Sequence, residues 1–350
     1  MRFFAIDDLL APYDFAYELA FTETYRKYQN AARSTREAAC LALFIPAMLR
    51  PVQDGDMFAG RRIFPTIGVC PMYWDNDTHD VDHIAYYADM DRLMRMRERA
   101  NLQPGLQEKV DDMIRFWDAE RCNARVRAAF DEQMMREMPT DHWDSDSGVI
   151  FCLYRLAGAQ LDYDKLMRYG LPGLRALFAE RLNRPENDAE QNAFYQACMD
   201  VLGTLIKVAE DYAFEMDQAL PNATPERAAQ LCSMRDTLLA LSRHAPENFR
   251  QAVQLVWLYS IISGTVDYNR MDVYLGDFYC NDLDSGLLTE AEAEELLLSF
   301  YMLMQKIHGR DTRLIVGGLG RPNAANADRF ALAAIRASMK HGEMQPQVTL

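Results

Sequence analysis

The run Thr265-Val-Asp-Tyr-Asn-Arg-Met-Asp-Val-Tyr-Leu-Gly-Asp-Phe-Tyr-Cys-Asn-Asp-Leu-Asp-Ser-Gly-Leu287, followed by Thr289-Glu-Ala-Glu-Ala-Glu-Glu-Leu-Leu297, carries the most information in this chain. Read locally, it is a strand end, a Tyr-rich helix running to Asp282, a glycine turn and an acidic helix capped at Thr289. Around it the spacing predicts a strand over Leu258 to Val266, a strand over Arg313 to Val316, a helix from Asn326 and a strand over Gln345 to Leu350. Strands that alternate with helices imply parallel pairing, because a parallel neighbour is reached through a crossover.

Upstream of this region the texture is helical. Ser34-Thr-Arg-Glu37 reads as a capping box opening a helix toward Leu49, which Pro51 stops. A polar stretch with Gly and Pro from Gln53 to Asp82 reads as loop, and apolar periodicity resumes at Ile84. Phe194, Cys198, Val201, Leu202, Leu205, Val208 and Tyr212 recur at helical spacing and predict a core-facing stripe. Thr224 before Pro225 opens another helix, since proline suits the first helical position. The chain therefore divides into a mainly helical region, 1–257, and a strand-helix region, 258–350, within one incomplete domain. It contains no internal repeat, low-complexity tract or clear linker.

Bulk composition excludes several function classes. An apolar fraction of 49% with 25% charged residues is that of a chain able to bury a large core. A net charge of −15 repels phosphate backbones and anionic lipid, which argues against nucleic-acid or membrane binding. No run approaches the 18 or so apolar residues of a membrane-spanning helix, and Asp7 and Asp8 stand where a signal peptide needs apolar residues. The expected location is the cytoplasm. Seven cysteines, an odd number without paired spacing, read as free thiols in a reducing compartment.

Several clusters have chemical potential, each with a plainer reading. Alternation places Thr265 and Asp267 on one strand face, after Gly264, where a hydroxyl and a carboxylate suit hydrogen bonding to a polar substrate. The plainer reading makes Asp267 a helix cap and Thr265 a strand residue. Arg270 and Asp272, two residues apart, need not pair with each other and read as anchors of the following helix. His79, Asp80 and His83 form the most metal-like group and raise the alternative of a His-Asp metal phosphohydrolase, but no histidine precedes His79. An acidic loop entering a helix explains them equally, and metal ligands are expected to be none. Asp144-x-Asp146-x-Gly148, after Trp143, has glycine one position too early for an EF-hand and lacks the closing Glu, so it reads as a solvated loop. Gly317-Gly318-Leu-Gly320 lacks the last glycine of a dinucleotide loop and the lysine of a P-loop, and reads as a tight strand end. No Gly-x-Ser-x-Gly elbow is present.

Taken in order, these blocks resemble the glycyl radical enzymes, the pyruvate formate-lyase-like family. Asn269-Arg270-Met271-Asp272 stands where the family usually has Gly-Arg-x-Asp. Pro246 through Phe249 to Gln254 resembles its Pro-x-x-x-Phe-x-Glu-Ala-x-Gln helix. Gly317-Gly318 and Gln345-Pro346 resemble its Gly-Gly strand end and Gln-Pro-led strand. Weaker similarity extends to Gln53 through Gly60 and to Ala157 through Leu171. Asn269 departs from the usual glycine, although Asn tolerates positive φ better than most residues. Ala159 stands where several relatives have the His of a Gly-His pair, which weakens a diol-dehydratase assignment.

The resemblance implies a helical shell around a ten-stranded barrel of two five-stranded parallel halves, of which this chain holds the first. It implies a glycyl radical installed by a partner activase carrying S-adenosylmethionine and an iron–sulfur cluster, with no cofactor bound by the enzyme itself. The catalytic cysteine, in a Gly-Cys loop, and the radical glycine are expected beyond Leu350, because none of the seven cysteines follows a glycine. The expected function is that of the N-terminal portion of such an enzyme, a lyase, dehydratase or formate acetyltransferase acting on a small polar metabolite. The complete enzyme is expected to be a homodimer, and the 350-residue chain alone inactive. The alternative from another class is a non-catalytic helical binding or assembly protein derived from the family.

Overall fold

The computed structural model describes residues 14–63, 65–69, 87–120, 125, 128–137, 160–308 and 312–350. Helices dominate. The first layer comprises α1 (Ala16–Lys27), α2 (Arg33–Met48), α3 (Met90–Arg99), α4 (Pro104–Glu120) and the short α5 (Glu132–Glu137). Two antiparallel pairs accompany it, β1 (Leu49–Arg50) with β2 (Arg61–Arg62) and β3 (Ile67–Gly68) with β4 (Tyr87–Ala88). Then follow α6 (Tyr163–Arg181), the 31-residue α7 (Ala189–Ala219), α8 (Pro225–Leu241) and α9 (Phe249–Ser263). The chain closes as β5 (Asp267–Arg270), α10 (Met271–Asp284), α11 (Glu290–His308), β6 (Arg313–Ile315), α12 (Ala324–His341) and β7 (Gln347–Thr349). Among the described residues no helix is long and apolar enough to cross a membrane.

The parallel pairing expected of the last third is present: β5, β6 and β7 form one three-stranded sheet in that order, both ladders parallel. Three strands are described, not the five of a half-barrel. Helix α10 crosses from β5 back along the sheet and packs on α12. The two approach closely at Gly276, where a Cβ would lie 3.1 Å from the Ala327 backbone.

The strand expected over Leu258 to Val266 is instead the end of α9 through Ser263 and a short connection, and the strand begins only at Asp267. Asn248 caps the helix by accepting from the Gln251 amide at 3.0 Å, and Gly264 ends it in the left-handed region at φ 76°. The cause of the misreading is burial on every side: each residue from Ala252 to Leu258 is buried, so no polar face marks the helical period.

Two further expectations change. Helix α2 begins at Arg33 with Ala32 at its N-cap and no side-chain cap, and Glu37 hydrogen-bonds Arg36 rather than closing a box with Ser34. In the α7 stripe, Leu202, Leu205, Val208 and Tyr212 are buried as expected, but Phe194 is 51% exposed and Cys198 and Val201 are half-buried. The caps at Thr224 and Thr289 form as read: Thr224 accepts from the Arg227 amide, and Thr289 and Glu292 cap each other's amides at 2.8 and 3.2 Å. The free thiols among the described residues are Cys40, Cys198, Cys232 and Cys280.

Helix α9 is the axis of the core, and polar side chains tie the irregular segment 51–63 to it. Gln254, fully buried, donates to and accepts from the Ala59 backbone at 2.8 Å each, as a strand neighbour would. Trp257 donates its indole N–H to the Gly60 carbonyl at 2.8 Å. Asp56 holds Arg61 through both carboxylate oxygens, at 2.7 and 2.8 Å. Gln254, Trp257 and Asp56 thus each find partners, without which a buried polar group would cost about 1–3 kcal/mol.

Glu215, on the α7 face toward this segment, accepts from the Val52 amide at 3.0 Å while its second oxygen is buried without a hydrogen-bond partner. Burial pushes its carboxyl up to about 7 from 4.5. The folded state therefore holds the proton more tightly than the unfolded chain. The stability this lends is fully present below about pH 4.5 and is lost as pH rises through about 7. Glu215→Gln stays neutral and keeps an acceptor for Val52, so the melting temperature of the native chain relative to this variant should fall between pH 4.5 and 7 and level off above. A difference independent of pH would refute the assignment.

Candidate active site

The segment after α9 sets the candidate site. Thr265 and Asp267 are 5% and 7% exposed, at the amino-terminal edge of the parallel sheet. The Thr265 hydroxyl donates to the Asp267 carbonyl at 3.4 Å. One Asp267 oxygen accepts from the Asn269 amide at 3.0 Å, and the other from the Gln160 side-chain amide at 3.3 Å. Asn269 takes φ 51°, the left-handed turn that the usual glycine would also allow, with the Asp267 carboxylate bonded across it. The sequence offered a helix cap as the plainer role for Asp267. The carboxylate caps this turn instead, since α10 starts at Arg270 without a side-chain cap.

Beneath the pair lies a cluster of buried phenols. Tyr163 stacks on Tyr274 with ring centroids 4.8 Å apart and on Tyr268 at 6.3 Å, and its hydroxyl meets the Ser260 hydroxyl at 2.7 Å. The Tyr274 hydroxyl donates to the Tyr268 carbonyl at 2.8 Å. Burial raises the pKa of all three tyrosines, with the Asp267 charge adding to this at Tyr163 and Tyr274. They act as neutral hydroxyls. The arrangement suits orientation of a polar molecule by hydrogen bonds. The Asp267 carboxylate can accept from a hydroxyl or ammonium, with the buried tyrosines beside it.

Arg270 and Asp272, whose spacing did not require a pair, do pair with one another. Arg270 Nε lies 3.3 Å from Asp272, because α10 begins at once and brings the carboxylate under the guanidinium. Asp272 is wholly buried and also accepts from the Gly317 amide at 2.9 Å and from Arg321 at 3.0 Å. Arg270 reaches the Gly317 carbonyl, and Arg321 continues to Asp328. Gly317, Gly318 and Gly320 all take positive φ, at 81°, 83° and 76°, which folds the strand end around the Arg270 and Asp272 side chains.

His79, Asp80, His83, Trp143, Asp144, Asp146, Gly148, Gly158 and Ala159 lie outside the described residues. Among the described residues, no three of His, Cys, Asp and Glu are grouped so as to hold a metal ion.

The pyruvate formate lyase-like family model matches residues 11–324. The chain belongs to this family of glycyl radical enzymes. Over 88% of its length the family member is 23% identical to the (2S)-3-sulfopropanediol dehydratase of Klebsiella oxytoca, of which it spans 39%. Over 39% of its length it is 31% identical to an isethionate sulfite-lyase of Oleidesulfovibrio alaskensis, of which that match covers 18%. Its fold matches that of the B12-independent glycerol dehydratase from Clostridium butyricum with a TM-score of 0.69 at 17% identity, covering 95% of this chain and 44% of the other. The chain thus spans less than half the length of these relatives.

Sequence reasoning missed Gln160, Tyr163, Ser260 and Arg321. Gln160 reaches Asp267 from 107 positions away. Nothing local marks it. Arg321 follows the glycine turn closely, and a lone arginine beside a tight strand end was the signal available.

Removing the Asp272 carboxylate takes away the buried anion that Arg270 and Arg321 share and leaves Arg321, with a side chain only 7% exposed, paired to the exposed Asp328 alone. Breaking a buried pair costs about 3–5 kcal/mol. Asp272→Ala should lower unfolding stability by about that much in urea titration; a loss below ~1 kcal/mol would remove its anchoring role.

Proposed function

We propose that this chain is the N-terminal portion of a glycyl radical lyase or dehydratase that cleaves or eliminates from a small polar metabolite, with Gly264, Thr265 and Asp267 forming one wall of the substrate cavity. The observation that carries the reading is the buried Thr265 and Asp267 pair at the sheet edge, within the stretch 11–324 that the family model matches. Catalytic cysteine and radical glycine come from a further part of the complete enzyme, a homodimer. An activase using S-adenosylmethionine and an iron–sulfur cluster supplies the radical. The part described here binds and orients. Gly264 turns the chain without a side chain in the way. The Thr265 hydroxyl and Asp267 carboxylate then take the substrate's polar groups, and Tyr163, Tyr268 and Tyr274 form a dry floor behind them. The names of the relatives, which include a sulfopropanediol dehydratase and a trans-4-hydroxy-L-proline dehydratase, support elimination chemistry.

In the complete, anaerobically activated enzyme, Thr265→Val keeps the shape and deletes one hydrogen-bonding group. An unpaired polar partner accounts for about 1–3 kcal/mol, so kcat/KM should fall roughly 5- to 150-fold at unchanged melting temperature. Unchanged kinetics would return Thr265 to a purely structural role.

The 350-residue chain incubated alone with a competent activase should give no glycyl doublet in electron paramagnetic resonance. A doublet on this chain would sink the division of labour proposed.

A further inference from the structure

Helices α2 and α6 both pack on α7, and between them opens a cavity of about 410 Å³. Its walls include Leu41 of α2, Leu166 and Phe178 of α6, and Phe194, Val201 and Leu205 of α7. This explains why Phe194 and Val201, set at core spacing, are not fully buried: their stripe faces a space rather than a partner helix. Interiors pack with few voids larger than a water molecule. A volume of this size falls within the roughly 300–1,000 Å³ of small-molecule sites.

Ser34 lines the cavity from α2, and two further polar side chains interrupt the apolar lining, Cys198 and Tyr259. Burial raises the pKa of both, and Cys198 and Asp162 add to the effect at Tyr259, so each group stays protonated. No described residue hydrogen-bonds the Tyr259 hydroxyl. At the mouth Asp162 and Lys165 neutralise each other at 3.0 Å, their side chains each 57% exposed. Glu37, the remaining charged lining residue, is bonded by Arg36 at 3.1 Å. The cavity therefore offers no uncommitted cation to an anion, and the Tyr259 and Ser34 hydroxyls to a neutral polar group.

We propose that this cavity is a second binding site, apart from the Thr265 and Asp267 wall, for a compact, neutral, mainly apolar molecule with one hydrogen-bonding group directed at the Tyr259 hydroxyl. The site takes ring-sized ligands and rejects carboxylates, because a carboxylate would be stripped of water beside Glu37 and Asp162. It differs from the sheet-edge site in position and in chemistry, and it stands if that reading fails.

Benzyl alcohol, toluene and benzoate are probes of one shape that carry a hydroxyl, no polar group and a charge. Cys198 is the reporter. With the chain as described, benzyl alcohol should slow iodoacetamide alkylation of the Cys198 peptide at least fivefold, followed by mass spectrometry, while benzoate leaves the rate unchanged. Tyr259→Phe should weaken benzyl alcohol roughly fivefold, to the affinity of toluene, because it removes one neutral hydrogen bond and little volume. Val201→Trp, which keeps the Cys198 reporter, should fill the cavity and abolish protection by benzyl alcohol and toluene; if that variant fails to fold, the Tyr259→Phe comparison still decides. Unprotected Cys198, benzoate binding as tight as benzyl alcohol, or equal benzyl alcohol affinity in Tyr259→Phe would each overturn the proposal. So would a Cys198 that reacts only on dilution, which would place a second copy of the chain over the cavity.

Discussion

The Asp272 carboxylate is the constraint on which the last third of the molecule depends. It lies in the first turn of α10, wholly buried, and binds the Gly317 amide after β6 together with Arg270 and Arg321. A charge so placed tolerates burial only when each oxygen is bonded. The turn after β5 and the turn after β6 are consequently locked to the same two oxygen atoms. That lock aligns the β5 and β6 ladder and sets the exit toward α12. The helices bury the apolar surface, but the buried charge cluster decides their register.

A second constraint acts through α9. Because most of this helix is buried, several of its polar residues turn to neighbouring backbone and side chains. Gln254 and Trp257 hold residues 59 and 60, Ser260 meets Tyr163, and Gly264 ends the helix so that Thr265 enters the sheet edge. The helical shell and the candidate site are joined by this one element. A disturbance of segment 51–63 would therefore be transmitted to Thr265 and Asp267 through a rigid rod rather than through loops.

The sheet-edge cluster and the cavity between α2, α6 and α7 differ in physical character. At the sheet edge, carboxylate, amide and hydroxyl groups converge over a tyrosine floor, an environment that orients through hydrogen bonds. Between α2, α6 and α7 the lining is mainly apolar, with the Ser34 and Tyr259 hydroxyls among its few polar groups. A molecule suited to one is poorly suited to the other.

From the sequence alone, the parallel strand-helix order after residue 264, the caps at Thr224 and Thr289, the tight turn at Gly317 and the family could be read, because each depends on short-range chemistry or on motif order. Register on α9 could not: a helix without a polar face has no period to detect, so Leu258 to Ser263 reads equally as strand. Pairings over long separations were equally hidden. Gln160 with Asp267, Arg321 with Asp272 and Gln254 with Ala59 join residues 107, 49 and 195 positions apart. Nor could spacing tell that Phe194 and Val201 border a cavity, since a stripe at helical period states which face is apolar and not whether a neighbour fills it. Local conformation is set by adjacent residues and is written in their order. The partners of a buried polar group, and the spaces between helices, follow from packing, which only the tertiary structure decides.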